Sequence, residues 1–167
     1  KVVTRGAAAC DCGCKEKIAE PLEKYRGAQA FEEMRFKTEQ SSKTPKAFML
    51  TFGSLAMCRA RAQFSCNFFA VAGFEVIDNN RFATVEEGVK AAMEAKADII
   101  VACSSDDDYL EAVPQIAQLT GDKAIVVVAG DPACKDELTA KGIDKFINVK
   151  SNVLETLKSY QALLGIK

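Results

Sequence analysis

Ala124-Ile125-Val126-Val127-Val128-Ala129 is the stretch that decides the fold. Four consecutive branched apolar side chains leave no polar face, so the run reads as a strand covered on both sides, as in a parallel sheet packed between helices. Asp98-Ile99-Ile100-Val101-Ala102 has the same character. Working outward from these two runs, one unit recurs from Ala47 to the C-terminus: a short apolar run, a polar turn, an amphipathic segment, then often a glycine. The remaining strand candidates are Ala47 to Thr51, Phe74 to Asp78 and Lys145 to Asn148. The pattern predicts an α/β fold with a five-stranded parallel sheet flanked by helices.

Local signals mark the helices between these strands. Thr84 precedes Glu87 by three residues, the spacing of a capping box, which predicts a helix from Val85 to Ala95. Leu55 to Ala72 reads as a helix packed on the sheet. Asp131-Pro132 predicts a helix start, with an N-cap acceptor ahead of a proline at the first helical position. Gly73, Gly121 and Gly142 fall where helices want a left-handed residue at the C-terminus.

The first 45 residues differ in kind. They read as a tail and helical connector (1–45) ahead of the α/β domain (46–167), with helix between Lys15 and Gln40 and a linker at Ser41-Ser42-Lys43-Thr44-Pro45. Ala28, Phe31 and Met34 share a helical face, so this connector docks either on the sheet domain or on a preceding domain. The start at Lys1 suggests a region of a longer polypeptide.

Composition narrows the function classes. The 167 residues are 49% hydrophobic with a formal net charge of −1 and no block of like charge, which argues against nucleic acid or an anionic membrane surface as partner. No apolar run approaches the roughly 20 residues of a membrane span, and no signal-peptide pattern opens the chain. The expectation is a soluble, cytoplasmic protein. The odd count of seven cysteines argues for reduced thiols rather than a disulfide framework, with Cys66 and Cys103 as buried apolar residues.

The chain has no histidine, so neither a Ser-His-Asp nor a Cys-His site can form, and no glycine-rich phosphate loop follows any strand. No catalytic residue is assigned. Cys10-Asp11-Cys12-Gly13-Cys14 could hold a metal, but structural zinc draws on a second ligand pair and none follows; an oxidation-prone tail is the simpler reading and no metal site is assigned. Asp106-Asp107-Asp108 follows the third strand, where α/β sheets place ligand loops, and reads as helix capping rather than a magnesium site. A phosphorelay receiver would need its acidic pair after the first strand, where Thr51-Phe52-Gly53 stands.

The run from Gly53-Ser54-Leu55-Ala56-Met57-Cys58-Arg59-Ala60-Arg61 to Phe64, continued by Asn67-Phe68-Phe69-Ala70-Val71-Ala72-Gly73-Phe74-Glu75-Val76, resembles the cobalamin-binding-domain-like C-terminal region of the methylmalonyl-CoA mutase small subunit. Asn79-Asn80, Ser104-Ser105 and Ala129-Gly130 extend the likeness, and Arg26-Gly27-Ala28 with Phe31, Glu32 and Arg35 looks like the family's connector from its barrel domain. The resemblance implies a flavodoxin-like strand order. It also implies a heterodimer with a large subunit that carries adenosylcobalamin and interconverts methylmalonyl-CoA and succinyl-CoA.

In the large subunit an Asp-x-His-x-x-Gly motif supplies the cobalt ligand. By resemblance its positions fall on Ala56, Cys58 and Arg61 here, so ligand, orienting carboxylate and glycine are all replaced, and Arg61 stands where a macrocycle needs room. The implied pocket is degenerate, formed by Gly53, Ser54, Cys58, Ser104, Ser105 and Gly130. The implied role is a non-catalytic, structural module that binds no cofactor itself and contacts the large subunit and a preceding barrel domain. Base-on cobalamin binding through Ser104, Ser105 and Gly130, or another nucleotide-like ligand at the same edge, are the alternatives. If the segment is simply a packed helix, Arg59 and Arg61 are exposed or contact a partner, and Cys58 is an ordinary thiol.

Overall fold

The computed structural model describes residues 25–166; Cys10, Cys12 and Cys14 lie outside them. Strands β1 (Lys46–Thr51), β2 (Glu75–Ile77), β3 (Ile99–Cys103), β4 (Ile125–Ala129) and β5 (Phe146–Ile147) form one sheet. All pairings are parallel, in the order β2-β1-β3-β4-β5. This is the flavodoxin-like arrangement, in which the chain reverses its direction of growth between β1 and β3. β3 is buried along its whole length, as its unbroken apolar run demands, and the outer strands are shorter than the sequence pattern suggests.

Helices α1 (Gln29–Gln40), α2 (Leu55–Val71), α3 (Val85–Glu94), α4 (Asp106–Thr120), α5 (Lys135–Ala140) and α6 (Val153–Leu163) cover the sheet. Side chains of odd and even strand positions go to opposite faces, and the core divides accordingly. Met49, Ile99, Val101 and Val127 pack with Phe68 and Phe69 of α2 and Leu157 and Tyr160 of α6. Phe48, Leu50, Ile100 and Val128 pack with residues of α3, α4 and α5.

The connector packs on the sheet domain. Met34 and Thr38 of α1 are buried, and Gln161 of α6 donates to the Met34 carbonyl and to Thr38 Oγ1, both at 2.7 Å. Arg35 lies over Gly73 and donates to the Ala70 carbonyl, so α1 helps to satisfy the C-terminal end of α2. The 41–45 linker is held at two points: Lys43 pairs with Asp98, and the Pro45 carbonyl accepts from Glu75 N–H at 2.9 Å.

The start of α3 follows the sequence reading and that of α5 departs from it. Thr84 Oγ1 accepts from Glu87 N–H at 3.3 Å, giving the threonine half of the capping box, and Asn152 caps α6 in the same way. Asp131-Pro132 does not open a helix. Lys135 N–H donates to the Pro132 carbonyl at 3.1 Å, closing a turn first, and α5 begins only at Lys135, whose ammonium lies 3.5 Å from Asp131. Gly73 and Gly142 have the positive φ expected after a helix, whereas Gly121 (φ 56°, ψ −141°) leads into a short 3-10 turn.

Candidate functional site at the C-terminal edge of the sheet

Open α/β sheets bind ligands beyond the carboxyl ends of their strands, at the switch point. Here that edge is formed by the loops after β1, β3 and β4, and it brings together Gly53, Ser104, Ser105 and Gly130. Ser54 stands exposed at the edge, in the N-cap position of α2, and its carbonyl accepts from Cys58 N–H at 2.9 Å. Cys58 belongs to a different environment. It faces the sheet from α2, is fully buried, and its thiol lies 3.4 Å from the Leu55 carbonyl.

Between β1 and β3 the edge is closed by polar side chains. Ser104 Oγ is 2.9 Å from the Phe52 carbonyl, and the Asp108 carboxylate accepts from both Ser104 and Ser105 hydroxyls. Gly53 (φ 69°) is required twice over: its backbone lies in the left-handed region, and a Cβ there would overlap Ser104 Oγ and the Asp108 carboxylate. The hydrogen bonds from Ser104, then Ser105, hold the Asp108 carboxyl below its ordinary range. Asp106 opens α4 and all three aspartates lie in its first turn, so they act on the helix dipole from within rather than as N-cap, which is Ser105.

Between β3 and β4 the edge is closed by Arg61. Its side chain leaves α2, crosses the strand ends, and reaches α4 on the opposite face of the sheet. One guanidinium nitrogen donates to the Ala129 carbonyl and approaches Tyr109 Oη at 3.4 Å; the other lies 2.7 Å from Asp106. The guanidinium carbon is 5.4 Å from the centre of the Tyr109 ring. Only 16% of the Arg61 side chain is exposed, so it fills the place where a macrocycle would need room and is not the exposed residue of the packed-helix alternative. Gly130 (φ 141°) makes the approach possible, because a Cβ would coincide with the guanidinium.

Tyr109 is the hub that sequence reading missed. Its hydroxyl is 2.7 Å from the Ala129 carbonyl, and it accepts from Ser104 N–H at 3.0 Å, so it joins the ends of β3 and β4. Burial raises its pKa above the ordinary phenol value, so the phenol stays protonated. A tyrosine in the first turn of a helix that follows a strand by two residues can fold back on that strand's end, and this spacing was the available signal. Arg59 does not join the site: it forms a two-pronged pair with Asp78 at 3.0 and 3.1 Å and donates to the Asn79 carbonyl. Of the two cysteines read as buried, Cys103 is fully so and burial pushes its thiol up to about 12, whereas Cys66 is only partly covered.

Among the described residues no group of three metal-ligating side chains is assembled, and no helix is long and apolar enough to cross a membrane. No family model matches the chain. It is 55% identical, over 94% of its length, to the methylmalonyl-CoA mutase small subunit of Porphyromonas gingivalis, of which it covers 25%. It is 26% identical, over 87% of its length, to proteins of Mycobacterium bovis and Mycobacterium tuberculosis, each described as a probable methylmalonyl-CoA mutase small subunit, covering 24% of each. The chain thus spans about a quarter of the length of the curated relatives it matches. With its all-parallel sheet and near-complete coverage at 55% identity, it is homologous to a domain-sized region of the methylmalonyl-CoA mutase small subunit.

Proposed function

We propose that this chain is the cobalamin-domain-like module of a methylmalonyl-CoA mutase small subunit, and that it is a non-catalytic, structural part of the enzyme. In this reading it works in the cytoplasm beside a large subunit, which carries adenosylcobalamin and interconverts methylmalonyl-CoA and succinyl-CoA. A preceding barrel domain of the same longer chain is its other neighbour.

The observation that carries the proposal is the occupied edge of the sheet. Arg61 lies against Gly130 where a ligand tail would run, and Ser104 and Asp108 lie against Gly53. Imidazole ligation of cobalt requires a histidine, and the chain has none. The residue that stands at the lost ligand position, Cys58, has its thiol buried in the core. These residues do not fit a cobalamin, base-on or base-off, because the serine hydroxyls and the glycine surface that would receive its nucleotide tail are already engaged. Leu55 and Met57, exposed in the first turn of α2 beside this edge, favour docking onto another protein surface.

Titration of the purified chain with hydroxocobalamin and adenosylcobalamin, followed by gel filtration, tests the reading. Colour should separate from the protein. Saturable, retained colour would overturn the structural reading in favour of a cofactor-binding module.

A further inference from the structure

We propose that the crevice at the ends of β3 and β4 is a guanidinium site: it is filled in cis by Arg61, and its acceptor groups select a planar cation and reject an anionic nucleotide tail. This rests on the reading of the edge as closed, and adds what chemistry the crevice would accept if the arginine were gone.

The argument is the inventory of atoms that face Arg61. The Ala129 carbonyl and the Asp106 carboxylate each accept from a different guanidinium nitrogen, Tyr109 Oη lies at 3.4 Å from the first, and the Tyr109 ring offers its face at 5.4 Å. Two acceptors in different directions plus a ring face suit a flat, forked cation better than a spherical ammonium. Gly130 leaves bare backbone where the flat ion rests.

An anion meets the opposite circumstances. A helix N-terminus following a strand ordinarily attracts phosphate through its free N–H groups and dipole. Here the first turn of α4 carries Asp106, Asp107 and Asp108, and Asp108 is held ionised by two serine hydroxyls. Those hydroxyls, which would otherwise bind a phosphate, already donate to Asp108. Removing Arg61 therefore exposes carboxylates and carbonyls, and the crevice becomes more hostile to an anion than before.

The test uses the 167-residue chain and its Arg61→Ala variant, melted by circular dichroism in equal millimolar concentrations of guanidinium, ammonium or sodium chloride. The variant melts lower than wild type, and guanidinium, well below denaturing concentration, raises its midpoint by about 2–5 °C relative to sodium. Ammonium gives less, and wild type gives no rise. Equal midpoints of the variant in all three salts overturn the proposal while leaving the closed-edge reading intact. Retention of hydroxocobalamin by Arg61→Ala would overturn the rejection of a nucleotide tail, whereas retention by wild type would overturn the closed-edge reading itself. Should Arg61→Ala fail to fold in any salt, Arg61→Lys decides: its midpoint falls below wild type if the site requires a planar fork, and a midpoint equal to wild type overturns that requirement.

Discussion

The two halves of the sheet's C-terminal edge are closed by different means. On the β1–β2 side, residues 78–82 fold back over the strand ends and make many modest contacts. Asn79 donates to the Met49 and Ile77 carbonyls, Thr51 Oγ1 lies 3.0 Å from the Asn80 carbonyl, Phe82 N–H donates to Thr51, and Arg81 donates to Gly53. Phe82 also stacks on Phe48. On the β3–β4 side, one arginine does most of the closing, and it depends on a glycine and a tyrosine placed by other elements. The first half is redundant, since each bond can fail alone. The second is concentrated, so single substitutions there have large effects.

The largest effect is expected at Gly130. Alanine would be strained at φ 141° and would overlap the Arg61 guanidinium, so Gly130→Ala should cost about 3 kcal/mol or more in urea unfolding. Combining it with Arg61→Ala should recover part of the loss, because the overlap disappears and only the strain remains. Strict additivity of the two substitutions would break the claim that these residues close the edge together.

A middle effect is expected at the junction of the two halves, where Asp108 ties Ser104 and Ser105 beside Gly53. Its folded-state value is depressed, so its contribution is present above the unfolded carboxylate value near 4 and is lost as pH falls through the folded value. Asp108→Asn should lose about 1 kcal/mol at pH 7, a low figure for a charged hydrogen bond because the carboxylate is partly solvated. The deficit should shrink towards pH 2. Urea midpoints at the two pH values would show it, and a deficit independent of pH would mean that shape rather than charge holds the loop.

The smallest effect sharpens the contrast from the redundant side. Arg59 and Asp78 form a well-aligned but solvent-exposed pair, so Arg59→Ala should leave the urea midpoint close to that of wild type. A loss as large as that of Gly130→Ala would erase the distinction between the halves.

Much of the fold was legible because its determinants are local. Branched apolar runs marked all five strands to within a residue or two, and Thr84 marked the start of α3 through a bond three residues long. Asp131-Pro132 misled because proline suits a turn as well as a first helical turn, and the spacing to Lys135 favoured the turn. At the site, Gly53, Ser104, Ser105 and Gly130 lie at one edge, since strand ends of a parallel sheet share a side. Cys58 lies apart from them, because a helix of known extent still leaves open which residues face the sheet.

By itself the sequence determined the fold class, the strand positions, the lack of any imidazole and, through resemblance, a kinship that close relatives bear out. Only the tertiary structure decided that the edge is closed and by what. Arg61 meets the Ala129 carbonyl 68 residues away, and Ser104 meets Phe52 across 52. No local propensity encodes such meetings: they exist only once α2 and α4 lie on opposite faces of the sheet with the ends of β3 and β4 between them.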